Sequence, residues 1–352
     1  MSTRAFLLVA VVAVASPACM RTVELEPVSG ALADKTSLSV VFQRNDTMEL
    51  AFASLGGKVQ DMRAIGFSFS DGLSLSADGK QVSYPTAGPD PSDFHQVIGA
   101  LDHSQGEDVV VLPHGPGPVL TSWSPDGKRL AYVSGTTAIA VVDAAAGATP
   151  TTIANLAVPM SPACAAPAWS PDGRMLAYAS GTGIAVYTFA DQSTHMAVTT
   201  GSASTCAPRW SPDSASIGYT ADGGDGRGRI MIVGAPGGTP LSAAQLQGDA
   251  GTGRWRWCPD GNRLAYLDID GADYTIRIAD LDGGAPTTID HADAGVELRT
   301  PEWSADGSAL LYLVFDPALH REQVAVSGVD YPRRQVLELP PATTTFYAWL
   351  PK

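Results

Sequence analysis

Short runs of alternating apolar and polar positions recur along this chain, and nowhere does the pattern take on helical spacing. The clearest run, Arg129-Leu130-Ala131-Tyr132-Val133, follows Ser124-Pro125-Asp126-Gly127 and precedes two more strand-like runs, Ile139–Val142 and Thr151–Ile153. Ser at the first position of that tetrapeptide, Pro presetting φ at the second and Gly at the fourth suit a type I turn. The unit WSPDGKRLAYVS from Trp123 returns as WSPDGRMLAYAS from Trp169, WSPDSASIGYTA from Trp210, WCPDGNRLAYLD from Trp257 and WSADGSALLYLV from Trp303. A weaker copy, LSADGKQVSYPT, starts at Leu75, and a fragment, WLPK, starts at Trp349. A period of about 45 residues marks a stacked or radial repeat. Four short antiparallel strands per unit predict an all-β fold, a β-propeller.

Each anchoring Trp closes the first strand of its unit. There a large ring fills space between neighbouring sheets and buries on the order of 150–250 Å². Six intact blades are expected: Phe67–Pro113, Pro118–Leu156, Ala163–Thr200, Cys206–Gln247, Gly251–Ile289 and Thr300–Pro340. Before them, Ser37–Gln43, Met48–Ser54 and Lys58–Ile65 read as three strands without an anchor. After them, Thr345–Leu350 reads as an anchor strand without a blade. Pairing the N-terminal strands with the C-terminal one closes the ring and removes exposed sheet edges, which predicts seven four-stranded blades, with six as the alternative.

A WSPDG turn followed by a short apolar strand bearing Tyr resembles the TolB-like propeller repeat, over roughly residues 37–352. Departures are Ala77 and Ala305 in place of Pro, Cys258 in place of Ser and Ser214 in place of Gly. The resemblance implies a rigid binding platform and does not imply catalysis; by itself it implies six blades. TolB also carries an N-terminal α/β domain, for which this chain leaves no room, so a stand-alone propeller is expected.

Composition narrows the partners. A net charge of −14 argues against nucleic acid, which needs a basic face, and against an anionic membrane surface. Residues 1–18 combine Arg4 with a short apolar run and read as a signal peptide, too short for a comfortable membrane span. The small residue before Cys19 resembles a bacterial lipoprotein processing site, making Cys19 the lipidated residue and 19–36 a tether. Plain secretion and an uncleaved anchor are the alternatives. Each places residues 37–352, a single propeller domain, outside the cytoplasm; the lipoprotein reading puts it in the periplasm or on the outer membrane as a monomer that touches the membrane through its lipid alone.

Candidate chemistry is sparse. The six histidines show no zinc spacing, and there is no G-x-S-x-G elbow. The positions before each anchor are Ser74, Ser122, Ala168, Arg209, Arg256, Glu302 and Ala348, so blades four to six align Arg, Arg and Glu. Strand alternation sends these side chains away from the anchor ring, toward the central channel. With Arg254 and Trp255 they form the candidate binding site. It reads either as an inter-blade salt bridge between Arg256 and Glu302 or as a patch for a partner or anion. Asp268, Asp270 and Asp273 read as a plain turn or a weak Ca²⁺ site. Cys164 and Cys206 occupy matching loops and are a possible disulfide pair, whereas Cys258 reads as a packed, unpaired thiol. These features favour a non-catalytic platform for an envelope protein. A ligand-, carbohydrate- or cation-binding propeller, or an enzyme with its site at the channel, is the alternative. The variable loops, such as Pro85–Asp93 and Asp268–Tyr274, mark the expected binding face, and the SPDG turns mark the structural one.

Overall fold

The computed structural model describes residues 7–10, 22–25, 39–41, 48–49, 52–54 and 64–65. From residue 74 to 338 it describes all but 88–93, 101–108, 113–119, 136, 157–165, 201–205, 223–226, 236, 246–253, 293–294, 300, 319–320 and 331. Six blades follow one another in chain order, each an antiparallel sheet whose strands are neighbours in sequence. Blade two shows the pattern: Thr121–Trp123, Arg129–Ser134, Ala138–Asp143 and Thr151–Asn155. Blade six has its first strand interrupted, with Glu297–Leu298 and Glu302–Trp303 both pairing with Ala309–Asp316.

Six blades match the alternative count, not the favoured seven. The N-terminal segment forms two separate pairs, Ser39–Val41 with Phe52–Ser54 and Met48–Glu49 with Ala64–Ile65. The expected strand Met48–Ser54 is thus split between two pairs, and among the described residues these strands form no three-stranded sheet. Its expected partner, Thr345–Leu350, lies outside the described residues. Leu7–Ala10 pairs with Thr22–Leu25 inside the expected leader and tether, where Thr22-Val23-Glu24-Leu25 has the period-two pattern a strand requires.

The middle strands bury more than alternation predicts. Leu130 to Val133 and Ile139 to Val142 are all buried. Both faces of these strands are covered by neighbouring blades, so each position meets apolar surface. The anchors Trp123, Trp169, Trp210 and Trp303 are buried too.

Each anchor also carries a directional bond. The indole N–H of Trp123 donates to the carbonyl of Ser74, Trp169 to Ser122, Trp210 to Ala168, Trp257 to Arg209 and Trp303 to Arg256, at 2.8–3.2 Å. Every acceptor is the residue before the preceding blade's anchor. The ring therefore both fills the inter-blade space and sets the height of one inner strand against the next.

The recurring turn is a closed set of bonds. Ser124 Oγ donates to Asp126 at 2.6 Å and accepts the Arg129 N–H at 2.9 Å, while Asp126 accepts the Lys128 N–H. Ser76, Ser170, Ser211 and Ser304 repeat the hydroxyl-to-Asp bond. The turn's last residue has φ near +65°, which Gly adopts freely; Ser214 takes φ 62° there and places its Oγ on the Asp172 N–H of the neighbouring blade. In blade five Cys258 stands where the hydroxyl would be, and Arg263 reaches back to Asp260 instead.

Candidate functional site

The row of residues before the anchors is built by the inner strands of successive blades. Ser74, Ser122, Ala168, Arg209, Arg256 and Glu302 are each half-buried beside their largely buried rings. In blade one the row is neutral and hydrogen-bonded, with Ser74 Oγ 2.9 Å from Thr121 Oγ1. Charge is concentrated in blades four to six. Arg256 forms an ion pair with Glu302, as the register predicts, and also donates to the Trp255 carbonyl at 2.9 Å. The Arg209 guanidinium lies 5.8 Å from the centre of the Trp255 ring. Burial, and then the like charge of Arg256, push Arg209 down to about 9, with Glu302 acting in the opposite direction. It stays charged at neutral pH. Two guanidinium groups and one carboxylate therefore share the inner ends of three adjacent blades, a local excess of positive charge in a chain of net charge −14.

Arg209, Arg256 and Glu302 come together as expected, but Arg254 and Trp255 play other parts. Arg254 is exposed, and its carbonyl accepts the Leu267 N–H. Trp255 is a core residue, 1% exposed, packed among Ile230, Ala244, Leu264, Tyr266 and Ala279. A Cβ on Gly218 would stand 2.4 Å from its ring, so blade four keeps a glycine where the blade-five indole enters. The signal was available: Trp255 lies two residues before Trp257 and so shares the anchor's face.

The Asp268, Asp270 and Asp273 carboxylates do not converge. Asp268 is buried and receives Arg277 Nε at 3.1 Å, whereas Asp270 and Asp273 are exposed and face each other across a tight hairpin at Gly271. Among the described residues no group of three or more His, Cys, Asp or Glu is placed to hold a metal ion. Cys258 is buried and unpaired, and burial pushes its thiol up to about 11. Cys19, Cys164 and the Cys206 side chain lie outside the described residues, so both the lipidation and the disulfide expectation fall there. Much of the expected binding face, including 88–93, 157–165, 223–226 and 246–253, falls there too.

Sequence reasoning missed an ion pair on the outer rim. Arg334 of blade six grips Asp290 of blade five with two bonds of 2.8 Å and donates a third to the His291 carbonyl. Outer strands lack the repeat signature, so nothing in the spacing pointed to it.

Residues 99–272 match the family model of the TolB beta propeller domain. Over these residues the chain is a TolB-like β-propeller. Among solved structures, TolB from Acinetobacter baumannii is 20% identical, with 79% of this chain covering 68% of that one at a TM-score of 0.54. The periplasmic gluconolactonase PpgL from Pseudomonas aeruginosa is 16% identical, with coverage of 90% and 100% and a TM-score of 0.59. Oligogalacturonate lyase from Vibrio parahaemolyticus is 13% identical, with coverage of 86% and 85% and a TM-score of 0.56. Identities this low show a shared fold and leave chemistry open. No curated protein matches the sequence significantly. The fold is thus shared with both a TolB protein and enzymes.

Proposed function

We propose that this TolB-like propeller is a non-catalytic binding platform of the bacterial cell envelope, and that it engages a protein partner through the inner ends of blades four to six. One observation carries the reading: Arg209, Arg256 and Glu302 sit side by side where the fold asks only for a backbone carbonyl to receive the next indole. The blade-three residue at the same place is Ala168, so nothing in the repeat demands charge there. Planar guanidinium groups at a half-buried rim suit a carboxylate of the partner, because fork-shaped donors pair with both its oxygens. The leader-like residues 1–18 and Cys19 support export and anchoring by lipid. With a hydrophobic anchor and a rigid disc, the molecule holds its binding face at the membrane surface as a monomer.

The test is in-situ cross-linking of the full chain, with partners quantified by mass spectrometry. One dominant envelope protein is expected, enriched at least tenfold less by Arg256→Glu than by wild type. No enriched protein at several cross-linker lengths overturns the reading. Acid hydrolysis followed by lipid analysis of the purified chain tests Cys19 separately, with loss of acyl chains expected in Cys19→Ser.

A further inference from the structure

A groove of about 450 Å³ runs between blades two and three, lined among others by Arg129, Asp143, Thr151, Thr152, Tyr187 and Phe189. It lies on the side of the disc that carries the SPDG turns, since Arg129 directly follows one turn and pairs in register with Asp143. That side was expected to be structural. The groove's aromatic wall is not part of the repeat. The Phe189 N–H bonds to the carbonyl of Arg174, and the same bond is made by Ala144, Ala235, Leu281 and Val329 in blades two, four, five and six. Two residues earlier, Tyr187 stands where those blades carry Val142, Val233, Ala279 and Ser327. The fold is thus satisfied by small or aliphatic residues at both places, and among the described residues of blades two to six only the junction of blades two and three holds two rings.

These rings form one organised surface. Phe189 stacks on Trp169 with centroids 4.9 Å apart and planes 3° apart, and Tyr187 meets Phe189 edge-on at 5.0 Å. The Arg129 guanidinium sits 4.5 Å from the Phe189 centroid and 4.6 Å from that of Trp169. Opposite them, the outer strand of blade two presents Thr151 and Thr152, both exposed. The wall therefore supplies the part of the half-buried Phe189 ring that Trp169 leaves open, the rim of the 8%-exposed Tyr187, hydroxyls that donate and accept, one cationic donor and one anionic acceptor.

We propose that this groove binds a neutral oligosaccharide. Sugar rings offer apolar C–H faces to aromatic side chains and hydroxyls that require both donors and acceptors. One Arg and one Asp leave no surplus charge to select an ion. A proline-rich peptide also stacks on rings, but each of its proline units brings a carbonyl acceptor and no donor, which leaves Asp143 without a role. A volume of this size falls within the range of about 300–1,000 Å³ common to small-ligand sites.

Trp169, stacked on Phe189, makes the site self-reporting. The full chain is titrated with cellohexaose and with chitohexaose while tryptophan emission is followed, and the heat of binding is measured in parallel. A saturable change with at least one sugar, in the micromolar to low millimolar range, is expected. Phe189→Ala, which installs the residue that blades two and four already carry, weakens it at least tenfold. Thr151→Arg, filling the groove from an exposed position, does the same. Leu241→Ser, on the exposed outer strand of blade four, leaves it unchanged. No saturable response to either sugar at millimolar concentration overturns the proposal, as does binding that Phe189→Ala and Thr151→Arg both leave intact. Saturable binding of a decaproline probe without sugar binding overturns it in favour of a peptide groove.

Discussion

Removing the hydroxyl of Ser124 tests whether the repeated turn is held by its side-chain bonds or only by its backbone. Ser124 is 1% exposed, and its Oγ lies between Asp126 and the Arg129 N–H at 2.6 and 2.9 Å. Ser124→Ala keeps the backbone bonds from Gly127 to Ser124 and from Ser124 to Arg129. It removes one ordinary hydrogen bond, worth about 1 kcal/mol net, and one to a carboxylate, worth about 1.5–3 kcal/mol. Asp126 is exposed and regains water, so the second figure is discounted to below 1 kcal/mol. The expected loss is about 1.5 kcal/mol. With an m-value near 3 kcal/mol/M in urea, the midpoint moves by about 0.5 M at unchanged m. The loss has a pH signature. The Ser124 hydroxyl, with the Lys128 N–H and neighbouring cations, holds the Asp126 carboxyl below its ordinary value, against a smaller opposing effect of burial. A lowered folded-state value stabilises the protein above the unfolded value, near pH 4, and this contribution disappears as pH falls through the lower folded value. The gap between wild type and Ser124→Ala should therefore be full at pH 6 and shrink below pH 4. Urea titrations at pH 6 and pH 3 measure it. A variant within 0.3 kcal/mol of wild type at pH 6, or a gap that widens in acid, refutes the reasoning.

Gly218→Ala should destabilise by about 1–3 kcal/mol, because the new methyl meets the Trp255 ring at 2.4 Å; urea unfolding checks it, and Trp255→Leu in the same chain should recover part of the loss. Arg334→Gln should cost about 2 kcal/mol, less than the 3–5 kcal/mol of a fully buried pair, since Asp290 is 11% exposed and Arg334 23%. Hydrogen exchange should then rise at the outer strands of blades five and six and stay unchanged in blade two.

The parts of the fold that could be read in advance are those the chain repeats. Five Trp anchors and their turns define blade order, and the register between anchors is enough to bring Arg256 to Glu302. The same register excludes Trp255 from the site, since alternation sends it to the core with Trp257. Blade number was harder, since closure depends on terminal strands that lack a complete unit. The Asp290–Arg334 clamp and the Phe189 groove were invisible for a different reason. Both depend on residues at or just beside the third and fourth strands, Phe189, Asp290 and Arg334, where the repeats differ from one another and separation along the chain says nothing about distance. What marked Phe189 was its departure from the small residues at matched positions, a signal that appears only after the blades are superposed by their hydrogen bonds.

The indole bonds also give the chain a direction in time. Each donor lies 42–49 residues after its acceptor, so a chain that emerges N-terminus first presents each inner carbonyl before the Trp that will bind it. At about 5–20 residues per second the next Trp follows within roughly 2–10 s. During that interval the newest blade is the least secured part of the nascent protein, and every earlier one is already latched by its successor. The blades are thus latched in chain order like a zip, with the tryptophan of each blade as the tooth that holds the one before it.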